Sequence, residues 1–222
     1  MWESRRIAAY WTSLRGASPA EALVAFGRFA AGRDCWLAAR GTVLCGKGTD
    51  LPVFDREGRG VPMGAILPDR GLDALGLELR RVGQAVPPAA PDQPDRFAML
   101  ADVGALVCRA GLMMRCLTLA YAHLEGRKSG GEPTLHLPLV KATFTDCASL
   151  GDRIHREAAK HLEGLPGLNL AEAHAGLSAA TARAAKLMGG HGYLAGQINA
   201  IETLSLLIVA GFTPMDGQRR AA

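Results

Sequence analysis

Ala184-Ala185-Lys186-Leu187-Met188-Gly189-Gly190-His191-Gly192-Tyr193 closes an alanine-rich run, and its reading decides the fold. Upstream, Asn169 followed three residues later by Glu172 is a helix-start pattern, so the run reads as a helix over 170–188. Its inner face is almost all Ala, and side chains that small let a neighbouring helix come close. A further helix is expected over about 198–209. Earlier in the chain, Pro138 opens a helix in which Val140, Phe144, Cys147, Gly151, Ile154 and Ala158 alternate spacings of four and three. That is the stripe of a helix buried on one side. Gly164-Leu165-Pro166-Gly167 stops it. Residues 97–124, rich in Ala, Leu and Met, read as one long helix. Four helices in antiparallel order make a bundle, here over 97–222.

The first 33 residues read as a helical segment. Ser18-Pro19-Ala20-Glu21 combines a capping Ser, a Pro at the first helical position and a Glu that completes a capping box. Leu23, Phe26, Phe29 and Ala30 then share a face, and Gly32 ends the pattern. Over 34–83 the texture changes to short apolar runs between glycines and the turn-rich Asp55-Arg56-Glu57-Gly58-Arg59-Gly60, which predicts a few short antiparallel strands. So small a sheet must lean on another element. Pro87, Pro88, Pro91 and Pro94 mark a stiff linker over 84–96, where the domain boundary is expected.

The 222 residues are 49% hydrophobic and only 5% aromatic, so the core is built from Leu, Val, Ala and Met. That apolar content excludes a disordered chain. The net charge of +4 is not concentrated in any Lys/Arg run, so nucleic acid is not implied. Five cysteines, an odd number with no CxxC pair, fit a reduced, cytoplasmic setting. The polar opening Met-Trp-Glu-Ser-Arg-Arg gives no expectation of a signal peptide. The longest apolar stretches are interrupted by Arg109 and by Glu202-Thr203, so no membrane span is expected. Gly41-Thr42-Val43-Leu44-Cys45-Gly46-Lys47 fits the start of a P-loop, but Gly48 stands where Ser or Thr should bind Mg²⁺ and Leu51-Pro52-Val53 opens no helix. It reads as a strand leading into a tight turn. The six histidines show no HExxH spacing, so no metal site is expected, and they read as surface residues.

Three segments together resemble a known family. Tyr121-Ala122-His123-Leu124-Glu125-Gly126-Arg127-Lys128-Ser129-Gly130-Gly131 looks like Tyr-x-x-x-Arg-x-x-Phe-Gly, and Gly189-Gly190-His191-Gly192-Tyr193 looks like Gly-Gly-x-Gly-Tyr. Leu206-Leu207-Ile208-Val209-Ala210-Gly211 resembles a segment ending in a catalytic Glu-Gly. In this order and spacing they resemble the C-terminal helical domain of the acyl-CoA dehydrogenases and acyl-CoA oxidases, over about 97–213. The fold class this implies is mainly α: that four-helix bundle, preceded by a short α+β segment as a remnant of the family's β-domain.

The resemblance implies FAD as cofactor. Arg127 and Ser129 match positions that contact a neighbouring subunit's FAD, and Gly189 and Gly190 match positions where backbone approaches the same FAD; Gly211 matches the glycine of Glu-Gly. A guanidinium suits a diphosphate because it grips it bidentately. The departures are as informative. Ala210 stands in place of the catalytic Glu, Lys186 in place of a Gln, and Gly130 in place of an aromatic, while 35–83 is too short to rebuild an isoalloxazine pocket. FAD binding is therefore expected to be weak or absent. In some members the base lies near the start of the first helix of this domain, which makes Asp102 the candidate acid–base residue; desolvation among Ala, Leu and Val raises a carboxyl pKa. Three functions stay open at this point. One is a shortened flavin-site subunit, working as a homodimer or with a longer acyl-CoA dehydrogenase-like chain on an acyl-CoA, a carrier-bound acyl group or a polyketide-like molecule. The second is a flavin-free catalyst of a cyclisation, elimination or isomerisation. The third is a non-catalytic dimerising partner.

Overall fold

The computed structural model describes residues 2–84, 93–193 and 198–212. Two helices open the chain, α1 (Trp2–Leu14) and α2 (Pro19–Ala31). The expected capping box is present on α2: Ser18 N donates to Glu21 Oε2 at 2.7 Å and Glu21 N donates to Ser18 Oγ at 3.3 Å. Gly32 closes the helix at φ 73°, in the left-handed region that glycine takes without strain. Strands β1 (Trp36–Ala39), β2 (Thr42–Gly46), β3 (Val53–Phe54), β4 (Met63–Leu67) and β5 (Leu77–Val82) follow, with the short helix α3 (Arg70–Ala74) between the last two. They form one sheet in the order β3-β1-β2-β5-β4. The strands were expected to be antiparallel throughout; β1 and β3 instead pair in parallel, Trp36 opposite Val53. The P-loop-like segment is strand β2 running into a tight turn, with Lys47 Nζ held by Asp73 Oδ1 at 2.7 Å.

Beyond the sheet lie α4 (Pro94–Leu124), a small hairpin of β6 (Lys128–Ser129) and β7 (Glu132–Pro133), α5 (Pro138–Leu162), α6 (Leu170–Lys186) and α7 (Ile198–Phe212). The four long helices stand where the periodicity put them. Asn169 caps α6, its side chain accepting from Glu172 N. The linker is shorter than the 84–96 expected, because Pro94 is already the first residue of α4, a position whose missing N–H costs nothing. Its residues 85–92 lie outside the described residues.

The bundle does not stand apart from the N-terminal segment. Helix α4 is packed by α1 and α2 as well as by α5, α6 and α7. Two glycines of α4 make this possible. A Cβ at Gly104 would lie 2.8 Å from the Phe26 ring, and one at Gly111 would lie 2.8 Å from Leu14 Cβ. Being surrounded also explains why α4 is apolar all round rather than along a stripe. By length and composition alone α4 could cross a membrane, contrary to the expectation from the interruption at Arg109, yet 83% of its most apolar window is buried inside the protein.

Arg109 lies at the middle of this helix and is fully buried. Its Nε donates to Ser205 Oγ at 2.9 Å and Nη2 to Ser178 Oγ at 2.7 Å; Nη1 meets His174 Nδ1 at 2.8 Å and donates to the His174 carbonyl at 3.1 Å. One guanidinium thus ties α6 and α7 to α4 through neutral partners. Burial pulls Arg109 down to about 10, and burial together with the Arg109 charge pulls His174 down to about 4. His174 is therefore a core histidine, not the surface residue expected, and it is neutral in the fold. Unfolding frees it to take a proton below its ordinary value of about 6.5. Its contribution is whole above that pH and is lost as pH falls toward 4. The predicted loss is about 3 kcal/mol between pH 6.5 and 4. Urea midpoints followed across this range should fall more steeply for the wild type than for His174→Gln.

Candidate functional site

Apart from Asp102, the residues singled out from the sequence gather at two ends of the helical body. At one end a cavity of about 210 Å³ lies between α2, the sheet and the last turn of α7. Leu23 and Phe26 of α2, Leu37, Leu44 and Leu79 of the sheet, and Leu207, Ile208 and Phe212 of α7 give it apolar walls. Phe26 meets Phe212 edge to face at 5.1 Å. Ala210 and Gly211 also line it. Gly211 has a local reason to be glycine. A Cβ on it would come within 3.0 Å of Ala39 Cβ, so the missing side chain lets α7 dock against β1.

The polar groups of this cavity were not foreseen. Thr42 lines it, its hydroxyl donating to the Ala39 carbonyl at 3.1 Å. Arg40 lines it as well, and Arg40-Gly41 forms the two-residue turn between β1 and β2, closed by the Ala39–Thr42 pair. Both residues have positive φ, 50° and 76°, as a type I′ turn requires. The dipeptide between two apolar runs was the signal available for the turn; nothing in the sequence said that the Arg would face a cavity.

At the other end, α4 stops at Leu124 and the β6–β7 hairpin turns on Gly130 and Gly131, at φ 61° and 90°. Positive φ at both positions explains why both are glycine. Arg127 and Ser129 are exposed here. The turn containing Gly189 and Gly190 comes to the same end, because the His191 ring stacks on His123 of α4 with centroids 4.7 Å apart. A Cβ on Gly189 or Gly190 would meet open space. Arg127, Ser129, Gly189 and Gly190 therefore form one exposed group. Burial, then the charge of Arg127 and the His191 ring, hold His123 below the ordinary histidine range.

Asp102 belongs to neither end. It does not line the cavity, and its carboxylate accepts from Arg56 Nε at 3.1 Å and Nη2 at 2.5 Å. Arg56 is presented by a turn that Asp55 organises, its Oδ1 accepting from Glu57 N and Arg59 N at 3.0 and 2.8 Å. Asp102 is buried, and it docks this turn on α4.

An FAD would need room for its ring and a hold on its diphosphate. The exposed end fits the diphosphate, with a guanidinium, a hydroxyl and two open glycine backbones. The cavity beside Ala210 does not fit the ring together with an acyl group, since cofactor and substrate pockets run to about 300–1,000 Å³. The two ends are also far apart. From Gly104, which touches the cavity residue Phe26, to Leu124 the helix rises roughly 30 Å. The five-carbon ribityl chain of FAD falls far short of that, so one chain does not offer both ends to one FAD.

No family model and no curated protein matches this chain by sequence. Solved structures do match. FkbI, described as serving biosynthesis of the methoxymalonyl extender unit of the polyketide Fk520, aligns over 93% of this chain and 78% of its own length, at 14% identity and a TM-score of 0.53. A steroid acyl-CoA dehydrogenase variant, Tcur3481–Tcur3483, aligns over 79% of this chain and 57% of its own length, at 15% identity and a TM-score of 0.50. Butyryl-CoA dehydrogenase of Megasphaera elsdenii aligns over 79% and 58%, at 15% identity and a TM-score of 0.49. The chain has the acyl-CoA dehydrogenase fold, and it spans less than three fifths of the length of these two dehydrogenases.

Proposed function

We propose that this protein binds an acyl thioester, on coenzyme A or a carrier, with the acyl group in the cavity beside Ala210, and that its Arg127–Gly190 end completes a flavin site on a second chain. Ala210 carries this reading. It lines an acyl-sized cavity, the resemblance puts the family's base at this residue, and none of the described lining residues is Asp, Glu or His. Removing an α-proton needs a base within hydrogen-bond reach. The chain holds the acyl group without being a complete dehydrogenase. The FkbI likeness supports a biosynthetic setting, and the paired name Tcur3481–Tcur3483 supports assembly with a second chain.

The protein alone is expected to reduce no electron acceptor above background with acyl-CoAs. Ala210→Glu is expected not to restore reduction, because the cavity has no room for the flavin ring. Co-expression with a longer acyl-CoA dehydrogenase-like subunit is expected to give a yellow complex whose FAD content falls with Arg127→Ala. Robust acceptor reduction by the purified chain overturns the proposal. The cavity's size favours one other reading, a flavin-free catalyst that orients an acyl chain for a non-redox step. Turnover of an acyl thioester by colourless protein supports that reading instead.

A further inference from the structure

The cavity beside Ala210 has a mouth and a floor, and the difference between them narrows its ligand. We infer that it takes a short, uncharged acyl group of up to about eight carbons, and that the Phe26–Phe212 pair sets this limit. The inference rests on the acyl-binding reading above and adds to it the length and charge of the acyl tail.

Three observations carry the inference. The first is size. An apolar cavity of about 150 Å³ holds a benzene ring, so one of about 210 Å³ holds roughly eight non-hydrogen atoms. The second is polarity. Among the described lining residues Arg40 and Ala210 are the exposed ones, so they mark the mouth. Leu23, Phe26, Trp36, Leu37, Ile208 and Phe212 are buried and make the floor. The floor carries no charged side chain and no hydroxyl. Arg40, the one charged residue of the described lining, stands at the mouth and has an interaction of its own within the chain. A charged tail reaching the floor therefore gives up its water and finds no partner, while an alkyl tail gains by burial. The third is rigidity. A Cβ at Gly104 would lie 2.8 Å from the Phe26 ring, so that ring is already pressed against α4, and it meets Phe212 edge to face at 5.1 Å. Held between α4 and Phe212, Phe26 has nowhere to swing to lengthen the cavity. A chain that outgrows the floor stops gaining buried surface.

Titration calorimetry on the full chain tests this with straight-chain acyl-CoAs from butyryl to dodecanoyl, each kept below its micellar concentration. Burying one methylene is worth roughly fourfold in affinity. Affinity is expected to rise by about that factor per carbon up to about octanoyl-CoA and then to stop rising. Phe26→Ala removes a six-carbon ring from the floor, so the rise should continue toward dodecanoyl-CoA. Phe26 belongs to the core, and Phe212→Ala, in the last turn of α7, is the second variant; it should move the break by about two carbons or more. Succinyl-CoA is expected to bind at least tenfold more weakly than pentanoyl-CoA, whose tail is of similar length. A wild-type affinity that climbs to dodecanoyl-CoA, or is already flat from butyryl-CoA, overturns the length limit and leaves the acyl-binding reading standing. A break that stays at octanoyl-CoA in both variants overturns the assignment to the Phe26–Phe212 pair. Succinyl-CoA binding as tight as pentanoyl-CoA overturns the uncharged tail. Binding of none of these thioesters overturns both this inference and the acyl-binding reading.

Discussion

Gly27→Ala is expected to lower the unfolding free energy by at least about 3 kcal/mol, at the upper end of what overpacking costs. The reason lies in how the sheet joins the helices. The chain leaves α2, turns at Gly32 and passes back over the helix as it enters β1. At the crossing, a Cβ on Gly27 would lie 2.0 Å from the Cys35 carbonyl oxygen and 2.8 Å from its carbon. Those are backbone atoms, so no rotamer change relieves the clash, and the strand itself must lift. Lifting β1 opens the cavity, because Leu37, Ala39 and Arg40 follow directly from Cys35. A helix-interior Gly→Ala change otherwise gains up to about 1 kcal/mol. Gly176→Ala in α6 isolates that gain, since a Cβ there meets nothing within 4 Å. Thermal unfolding should therefore separate the two variants in opposite directions. Gly27→Ala should lose about 6–12 °C, at roughly 2–4 °C per kcal/mol for a chain of this size, and a shift of less than 2 °C would refute the close crossing.

The parts of the fold that were legible in the sequence are those written in local patterns. The four-and-three stripe from Val140 to Ala158, the capping Asn169 and the capping box of Ser18 each lie within a few turns of one helix. Helix α1 carries no comparable start signal and was covered only by the helical reading of the first 33 residues. The parallel pairing of β1 with β3 was missed because strand order depends on which faces the helices leave open, not on the alternation within a strand. The site shows the same division. Its glycines and Arg127 sit in short motifs, and Ala210 was placed by resemblance. Arg56 and Asp102 meet across 46 positions, Arg109 and Ser205 across 96, and no periodicity links residues that far apart. Asp102 was read as the candidate acid–base residue; the partner that binds both its oxygens comes from a turn in the other half of the chain.

Arg109→Ala is expected to be the most destabilising of these changes, at about 3–5 kcal/mol, or about 6–20 °C. Two costs add. The guanidinium and its stem vacate a core in which Arg109 is fully buried, leaving a hole that packed helices cannot collapse. Its buried partners His174 and Ser205 then lose a donor where water does not replace it, and half-buried Ser178 loses one as well. Arg109→Met separates the two costs, since it refills much of the volume and leaves only the polar loss. Adding His174→Leu to Arg109→Met removes the stranded imidazole as well, and a well-packed apolar replacement of a buried polar cluster is often neutral or stabilising. The double variant should therefore recover most of the stability, and its unfolding free energy should no longer fall between pH 6.5 and 4 as the wild type's does. Function is expected to diverge from stability here. Ser205 stands five residues before Ala210, and the guanidinium that grips it fixes the height of α7 against α4. Methionine and leucine supply volume but no directional bond, so α7 is free to settle at another register. A variant that regains wild-type stability yet binds acyl thioesters at least tenfold more weakly would show the cluster to be a positioning device for the cavity wall. Wild-type affinity in the same variant would reduce it to packing alone.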